Sequence, residues 1–86
     1  MPVISMFYGL IIRMFFFDVD KHHIHAEYGD MSAVFGIDDG EILAGELPRQ
    51  KIRLVQAWIE LHREDLMADW KLALEGNEVF RIEPLK

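Results

Sequence analysis

The sequence predicts an α+β fold, in which a mostly antiparallel meander of four to five strands carries two C-terminal helices on one face. Three observations predict it. The N-terminal run is rich in β-branched and aromatic residues, the dipeptide Asp39-Gly40 is typical of a hairpin, and apolar residues recur every three or four positions from Ile52 onward. A chain of 86 residues supports one hydrophobic core, so we expect residues 1–86 to form a single domain.

The first element is predicted to be one long strand from Val3 to Phe17, because both of its alternating faces are apolar. Gly9 would be a bulge or bend within it. Arg13 is the charged exception on its face. Either its stem lies along the sheet while its guanidinium reaches a carboxylate, or it belongs to a functional site.

This apolar run does not have the pattern of a targeting segment. Arg13 interrupts it, no small-residue cleavage site follows, and it is shorter than the about 20 apolar residues of a transmembrane helix. The chain has no cysteine, which excludes disulfides and thiolate chemistry and fits a reducing compartment. We therefore expect a cytoplasmic protein.

Three shorter strands are predicted after a polar connection from Asp18 to His22. Turn signals at Gly29-Asp30 and at Asp39-Gly40 separate them, so antiparallel pairing needs no long crossover. These strands are His23 to Tyr28, Met31 to Ile37 and Glu41 to Leu47.

The helical half is predicted to begin at Pro48 and to end at Gly76-Asn77. No glycine or proline interrupts it, yet a single helix of this length would extend about 42 Å and overhang so small a domain. We therefore expect two helices with a bend around His62 to Glu64. Beyond them, Val79 to Ile82 alternates like a short edge strand, which Pro84 would stop.

The two tryptophans are interpreted as core anchors, since both lie on or beside the apolar stripe of the helices. The acidic side chains of this half are interpreted as its solvated face. The residues concerned are Trp58 and Trp70 for the core, and Glu60, Glu64, Asp65 and Asp69 for the solvated face.

The charge balance limits the classes of partner. A net charge of −6 argues against general DNA binding, which depends on many lysine and arginine contacts to phosphates. The densest basic cluster, Arg49, Lys51 and Arg53, could instead help to dock an acidic protein partner. Neither general DNA binding nor a membrane is expected.

The residues most suggestive of chemistry lie in the second strand. Its period of two places His23, His25 and Glu27 on one face, and apolar neighbours on the other. The strand therefore combines a core-facing side with a titratable one.

Three interpretations of the histidines remain open. His23 and His25 could bind a zinc-like divalent metal together with His62, leaving one open position for metal-assisted hydrolysis. Alternatively, His23, His25, Arg13 and Glu27 could form the acid–base site of a small metal-free ribonuclease or hydrolase. The third interpretation is structural, with the histidines covered by the helices and hydrogen-bonded, and His62 capping a helix end.

A specific combination of residues is distributed over the whole chain. It consists of Pro2, Ile4-Ser5, Phe7-Tyr8-Gly9, His23-Ile24-His25-Ala26-Glu27-Tyr28-Gly29, Ala33-Val34-Phe35, Gly45-Glu46-Leu47-Pro48, Arg53-Leu54-Val55, Trp58, Leu61-His62-Arg63-Glu64, Leu66, Trp70 and Ile82-Glu83-Pro84-Leu85. In this combination the chain resembles a small bacterial family known only as a domain of unknown function, of the DUF4160 type. Members of that family typically have two prolines just before the His-x-His motif, where this chain has Lys21-His22.

The resemblance implies a partner protein more than a reaction. Genes of this family are similar in layout to two-gene toxin–antitoxin modules, often beside a second small domain of unknown function. We therefore favour an interaction domain. It could add a partner strand, at the edge strand Val79 to Ile82 or at an incompletely covered sheet, or it could bury an apolar helix face against a second chain. The expected partner is a small protein encoded nearby or a second copy of the chain, as in a homodimer.

Overall fold

The computed structural model describes residues 2–14 and 22–86 and confirms the α+β fold. One sheet has the strand order β1-β2-β3-β4-β5, and every neighbouring pair is antiparallel, so the strands form a meander. Two helices follow it. The elements are β1 (Val3–Phe7), β2 (Leu10–Arg13), β3 (His23–Tyr28), β4 (Met31–Gly36), β5 (Ile42–Glu46), α1 (Arg49–Leu61) and α2 (Arg63–Leu74).

The prediction of one strand from Val3 to Phe17 is wrong, because the chain reverses at Tyr8 and Gly9 and forms a hairpin. Both residues have positive φ, +49° and +80°, as the two central residues of a type I′ turn require. Phe7 pairs with Leu10 across this turn. The residues predicted to continue the strand at 15–17, and most of the polar connection at 18–21, lie outside the described residues.

The other two hairpins lie where the turn signals predicted them. Gly29, at φ +58°, follows β3, and Tyr28 pairs with Met31 across the turn. Between β4 and β5, the Asp39 carboxylate accepts a hydrogen bond from the Glu41 N–H at 2.9 Å, and Gly40 has a φ of +74°. Side-chain capping and a positive φ close this loop.

The hydrophobic core lies between one face of the sheet and the two helices. Neighbouring strands contribute residues that are in register, since Ile12 pairs with Ala26 and Ile24 with Phe35. The helices contribute Val55, Trp58, Ile59, Leu66, Trp70 and Ala73. Trp58 is fully buried and Trp70 is 3% exposed, which confirms that the tryptophans are core anchors.

The predicted bend between the helices is confirmed at His62, whose φ and ψ of −119° and 24° interrupt the helical backbone. The Arg63 side chain donates a hydrogen bond to the Ile37 carbonyl at 2.9 Å and so fixes the start of α2 to the end of β4. Gly76, at φ +79°, follows α2 as expected of a helix-ending glycine. No helix in the described ranges is long and apolar enough to span a membrane.

The prediction of an edge strand at Val79 to Ile82 is also wrong. Residues 77–86, which we call the C-terminal strap, have no strand structure. Val79, Ile82 and Leu85 are the strap residues that pack on the core, and their spacing of three does not match the period of two of a strand. The strap still lies against β1, because the Ile82 N–H donates to the Ile4 carbonyl at 2.7 Å.

Candidate functional site on the open face and edges of the sheet

The face of the sheet opposite the helices carries the titratable residues of the sequence. Arg13 pairs with His25, and Ile11 with Glu27, while Ile12 and Ala26 between them face the core. We call this side, with Arg13, His25, Glu27, Val34 and Ala44, the open face. The register of β2, β3, β4 and β5 brings these five side chains onto neighbouring strands.

An ion pair organises the centre of the open face. Arg13 Nε lies 3.0 Å from Glu27 Oε2, and the two side chains are 29% and 36% exposed. The interpretation that the Arg13 guanidinium reaches a carboxylate is therefore confirmed. Because Glu27 engages Arg13, part of the positive charge that a phosphate would need is already neutralised.

His25 stands beside this pair in a partly desolvated position. Its pKa is lowered from 6.5 to about 4, chiefly by burial and in addition by nearby His23, and Glu27 opposes both effects. The imidazole is accordingly neutral near pH 7. It can accept a proton weakly but holds almost none to donate at that pH.

His23 lies beside His25, with ring centroids 5.3 Å apart, but it contacts α2 and is closed off from solvent. It is only 6% exposed, and the Trp70 ring lies 5.0 Å from it, edge to face. Trp70 also lies 5.6 Å from the His22 ring. The start of β3 is thus packed against α2, which favours the structural interpretation for His23.

His62 lies at the bend between the helices. Its ring is 5.6 Å from Trp58, and its Nδ1 is 3.7 Å from Asp65 Oδ2, but its side chain makes no capping hydrogen bond. Within residues 2–14 and 22–86, no group of three histidine, cysteine, aspartate or glutamate side chains is arranged to hold a metal ion. The described structure therefore does not assemble the metal set of His23, His25 and His62.

The prediction that Asp69 belongs to the solvated helix face is wrong. Asp69 is 2% exposed, and its Oδ1 accepts a hydrogen bond from the Phe80 N–H at 2.9 Å. The sequence does contain the signal: Leu66, Asp69, Trp70 and Ala73 follow the i, i+3, i+4, i+7 spacing of a buried helix face. The prediction relied on the charge of aspartate, whereas the helical periodicity places position 69 in the core.

The basic cluster is also divided by the fold. Lys51 Nζ donates to the Tyr8 carbonyl at 3.0 Å and lies 4.8 Å from the centre of the Tyr28 ring, so it braces the first hairpin. Arg49 and Arg53 are exposed. An acidic partner would meet two free side chains at most in this cluster, instead of three.

The two edges of the sheet differ in cover. β1 is mostly buried, with Ile4, Ser5 and Phe7 at 0%, 1% and 6% exposure, and the C-terminal strap lies against it. In β5, every residue after Ile42 is exposed, and no described segment pairs with its outer side. An edge strand with unpaired backbone groups is a template for adding another strand.

A family model matches most of the chain. The model of a domain of unknown function, DUF4160, matches residues 9–71, from the turn after β1 into α2. The chain belongs to the DUF4160 family. The match includes the whole of β2 to β5, and therefore most of the open face and the exposed edge. The chain has no match among curated proteins or solved structures.

Proposed function

We propose that this DUF4160 protein is an interaction domain that binds a small partner protein by adding an extended segment of that partner to β5. The observation that carries the proposal is the exposure of β5, in which four of five residues are exposed, beside a β1 edge that the strap occupies. Main-chain hydrogen bonds supply affinity in such β-augmentation, and the flanking side chains supply specificity.

Charge indicates the chemistry of the partner segment. Exposed carboxylates flank β5, at Asp38, Asp39 and Glu41 before it and at Glu46 on its last residue. The chain as a whole has a net charge of −6. A basic extended segment complements this edge, whereas a second copy of β5 would bring like charges together. We therefore favour a heterologous partner over a homodimer.

The irregular shape of β5 restricts what can bind. Its pairing with β4 shifts between Val34 and Phe35, and Gly45 has a φ of +78°. A bulge of this kind twists an edge and discourages indiscriminate pairing. The partner must supply a short strand that matches the remaining edge.

The toxin–antitoxin part of the proposal comes from the gene layout implied by the family resemblance. In that setting the chain is one component of a cytoplasmic bacterial two-gene module, and the adjacent gene encodes its partner. The hydrolase alternative has less support, because Glu27 engages Arg13 and His25 is neutral near pH 7. It remains distinguishable by toxicity that His25→Ala abolishes in a folded protein.

The test is co-expression of the chain with the product of the adjacent gene, followed by affinity co-purification. Glu46→Lys should reduce the recovered partner at least several-fold, because it reverses the charge at the β5 edge. Glu75→Lys is the matched control, since it makes the same charge change at an exposed position after α2. Equal recovery with both variants contradicts binding at β5. A dimer of the isolated chain that Glu46→Lys dissociates would identify a second copy as the partner.

A further inference from the structure

The C-terminal strap is attached at separate points to three different elements. The Ile82 N–H donates to the Ile4 carbonyl of β1, and the Glu83 carbonyl accepts the Trp58 indole N–H of α1 at 2.8 Å. The Phe80 N–H donates to Asp69 Oδ1 of α2. The second and third attachments use side chains, so a change in either side chain changes how the strap is held.

The Asp69 attachment is chemically unusual. Asp69 Oδ2 is buried and has no hydrogen-bond partner among the residues that the structure describes, while Oδ1 accepts a hydrogen bond from the strap. An ionised carboxylate normally needs donors at both oxygens when it is removed from water, so this one is costly to bury as an anion. The neutral acid suits the site better.

We propose that a proton on Asp69 controls the attachment of the strap to the β1 edge, and that the strap holds tightest when this carboxyl is neutral. Strap residues 80–83 line a cavity of about 220 Å³ with Asp65, Ala68 and Asp69, so docking of the strap is part of what buries the carboxyl. When the strap lifts, Asp69 regains water and the Ile4 carbonyl loses its partner. The sheet then gains a second free edge, independently of what binds β5.

The charged groups around Asp69 fit this coupling. Burial raises the pKa of Asp69, the Phe80 hydrogen bond opposes that rise, and Asp65 on the same helix adds to it. On the strap, Arg81 is exposed, and Glu83 is paired with Lys86 at 3.1 Å. In the proposed coupling the strap supplies the decisive part of this burial, so the docked state binds the proton more tightly than the lifted state does. The strap is therefore most stable at acidic pH and loosens as pH rises through the raised pKa.

The experiment is amide hydrogen exchange followed by NMR on the full-length chain between acidic and neutral pH. The protection factors of the Phe80 and Ile82 amides should fall as pH rises, by about tenfold for each pKa unit by which docking raises Asp69. Asp69→Asn should keep the acid-side protection at every pH. Asp65→Asn is the control, one turn away with a side chain 70% exposed; it should retain the fall at a smaller size, because burial is a larger cause of the raised pKa than Asp65 is.

Protection of these amides that does not change with pH in the wild type, or the same fall in Asp69→Asn, overturns the proposal. So does protection equal to that of the Ala26 amide in β3, because the strap would then open only with the whole fold. If Asp69→Asn does not fold, the wild type alone decides. A ¹³C titration of the Asp69 carboxyl must share its midpoint with the loss of Phe80 protection, and different midpoints overturn the proposal.

Discussion

β1 and β5 occupy equivalent positions at the two edges of one sheet, yet they are protected by different means. β1 is covered by the strap and by Trp58, whose ring lies 5.4 Å from that of Phe7. β5 relies on Glu46, a bulge and the positive φ of Gly45. Covering an edge with another segment excludes all strands, whereas charge and irregular shape exclude only unmatched ones. The comparison therefore indicates β5 as the edge kept for a partner.

The largest difference between the edges should appear on truncating one apolar side chain at each. Ile82 is 7% exposed and attached to β1, so Ile82→Ala should lower the free energy of unfolding by about 2–5 kcal/mol. Leu43 in β5 is 37% exposed, and Leu43→Ala should cost less than about 1 kcal/mol. Urea denaturation measures both. Similar losses of unfolding free energy in the two variants would contradict the conclusion that β1 is covered and β5 is exposed.

Glycine substitutions test why the β5 edge has a glycine at position 45. Gly45 and Gly76 have similar φ, +78° and +79°, but a Cβ on Gly45 would clash with the Ser32 carbonyl. A Cβ on Gly76 would meet no atom of the described residues within 4 Å. Gly76→Ala should cost about 1–2 kcal/mol through backbone strain alone. Gly45→Ala should cost more in the same denaturation experiment. If the two costs are equal, close contact between β4 and β5 at this point is not what requires glycine.

These features show what the sequence could and could not predict. Strand β3 and the bend at His62 were predicted because a period of two and a length limit are local signals. The Tyr8-Gly9 turn was missed because tyrosine seldom adopts positive φ, so nothing in its type marks a turn. In one continuous strand, Met6 would share a face with Leu10 and Ile12. Because the chain instead turns at Tyr8-Gly9 and pairs Phe7 with Leu10, Phe7 joins Leu10 and Ile12 in the core.

The candidate site was predicted in part for a similar reason. The shared face of His23, His25 and Glu27 follows from strand periodicity, and so does the reach of Arg13 toward a carboxylate. Tertiary contacts decide the rest: Trp70 covers His23, which only the packing of α2 could show. The difference between the two edges of the sheet depends on where the strap lies. The apolar residues of the strap are spaced by three, so their pattern does not predict that the strap lies along β1.

The pH response of His25 tests how far the open face is shielded from solvent. NMR should place the midpoint of the His25 imidazole at about 4, because burial lowers its pKa from 6.5. The unfolded chain then binds a proton at His25 at a higher pH than the folded chain does. This contribution to stability is therefore complete above pH 6.5 and declines as pH falls toward 4. His25→Gln should reduce that decline, and a midpoint near 6.5 would contradict the burial of the ring.

The smallest effect is expected from the ion pair at the centre of the open face. A double-mutant cycle of Arg13→Ala and Glu27→Ala should give a coupling of about 0.2–1 kcal/mol, since the two side chains are about one-third exposed. The coupling should weaken with added salt. Lys86 and Glu83, which are 80% and 65% exposed, form a control pair with less coupling. A larger coupling at the control pair would show that Arg13 and Glu27 are more solvated than Glu83 and Lys86, which contradicts the partial burial of the open face.

The most direct test of the central claim is hydrogen exchange of the ¹⁵N-labelled chain with and without the product of the adjacent gene. We expect the amides of β5, Ile42–Glu46, to gain protection in the complex while the Ile82 amide in the strap keeps the protection it has in the free chain. New protection confined to β1, with exchange at Ile82 released, would contradict it. In that case the partner would use the edge that the strap covers, and β5 would not be the binding edge.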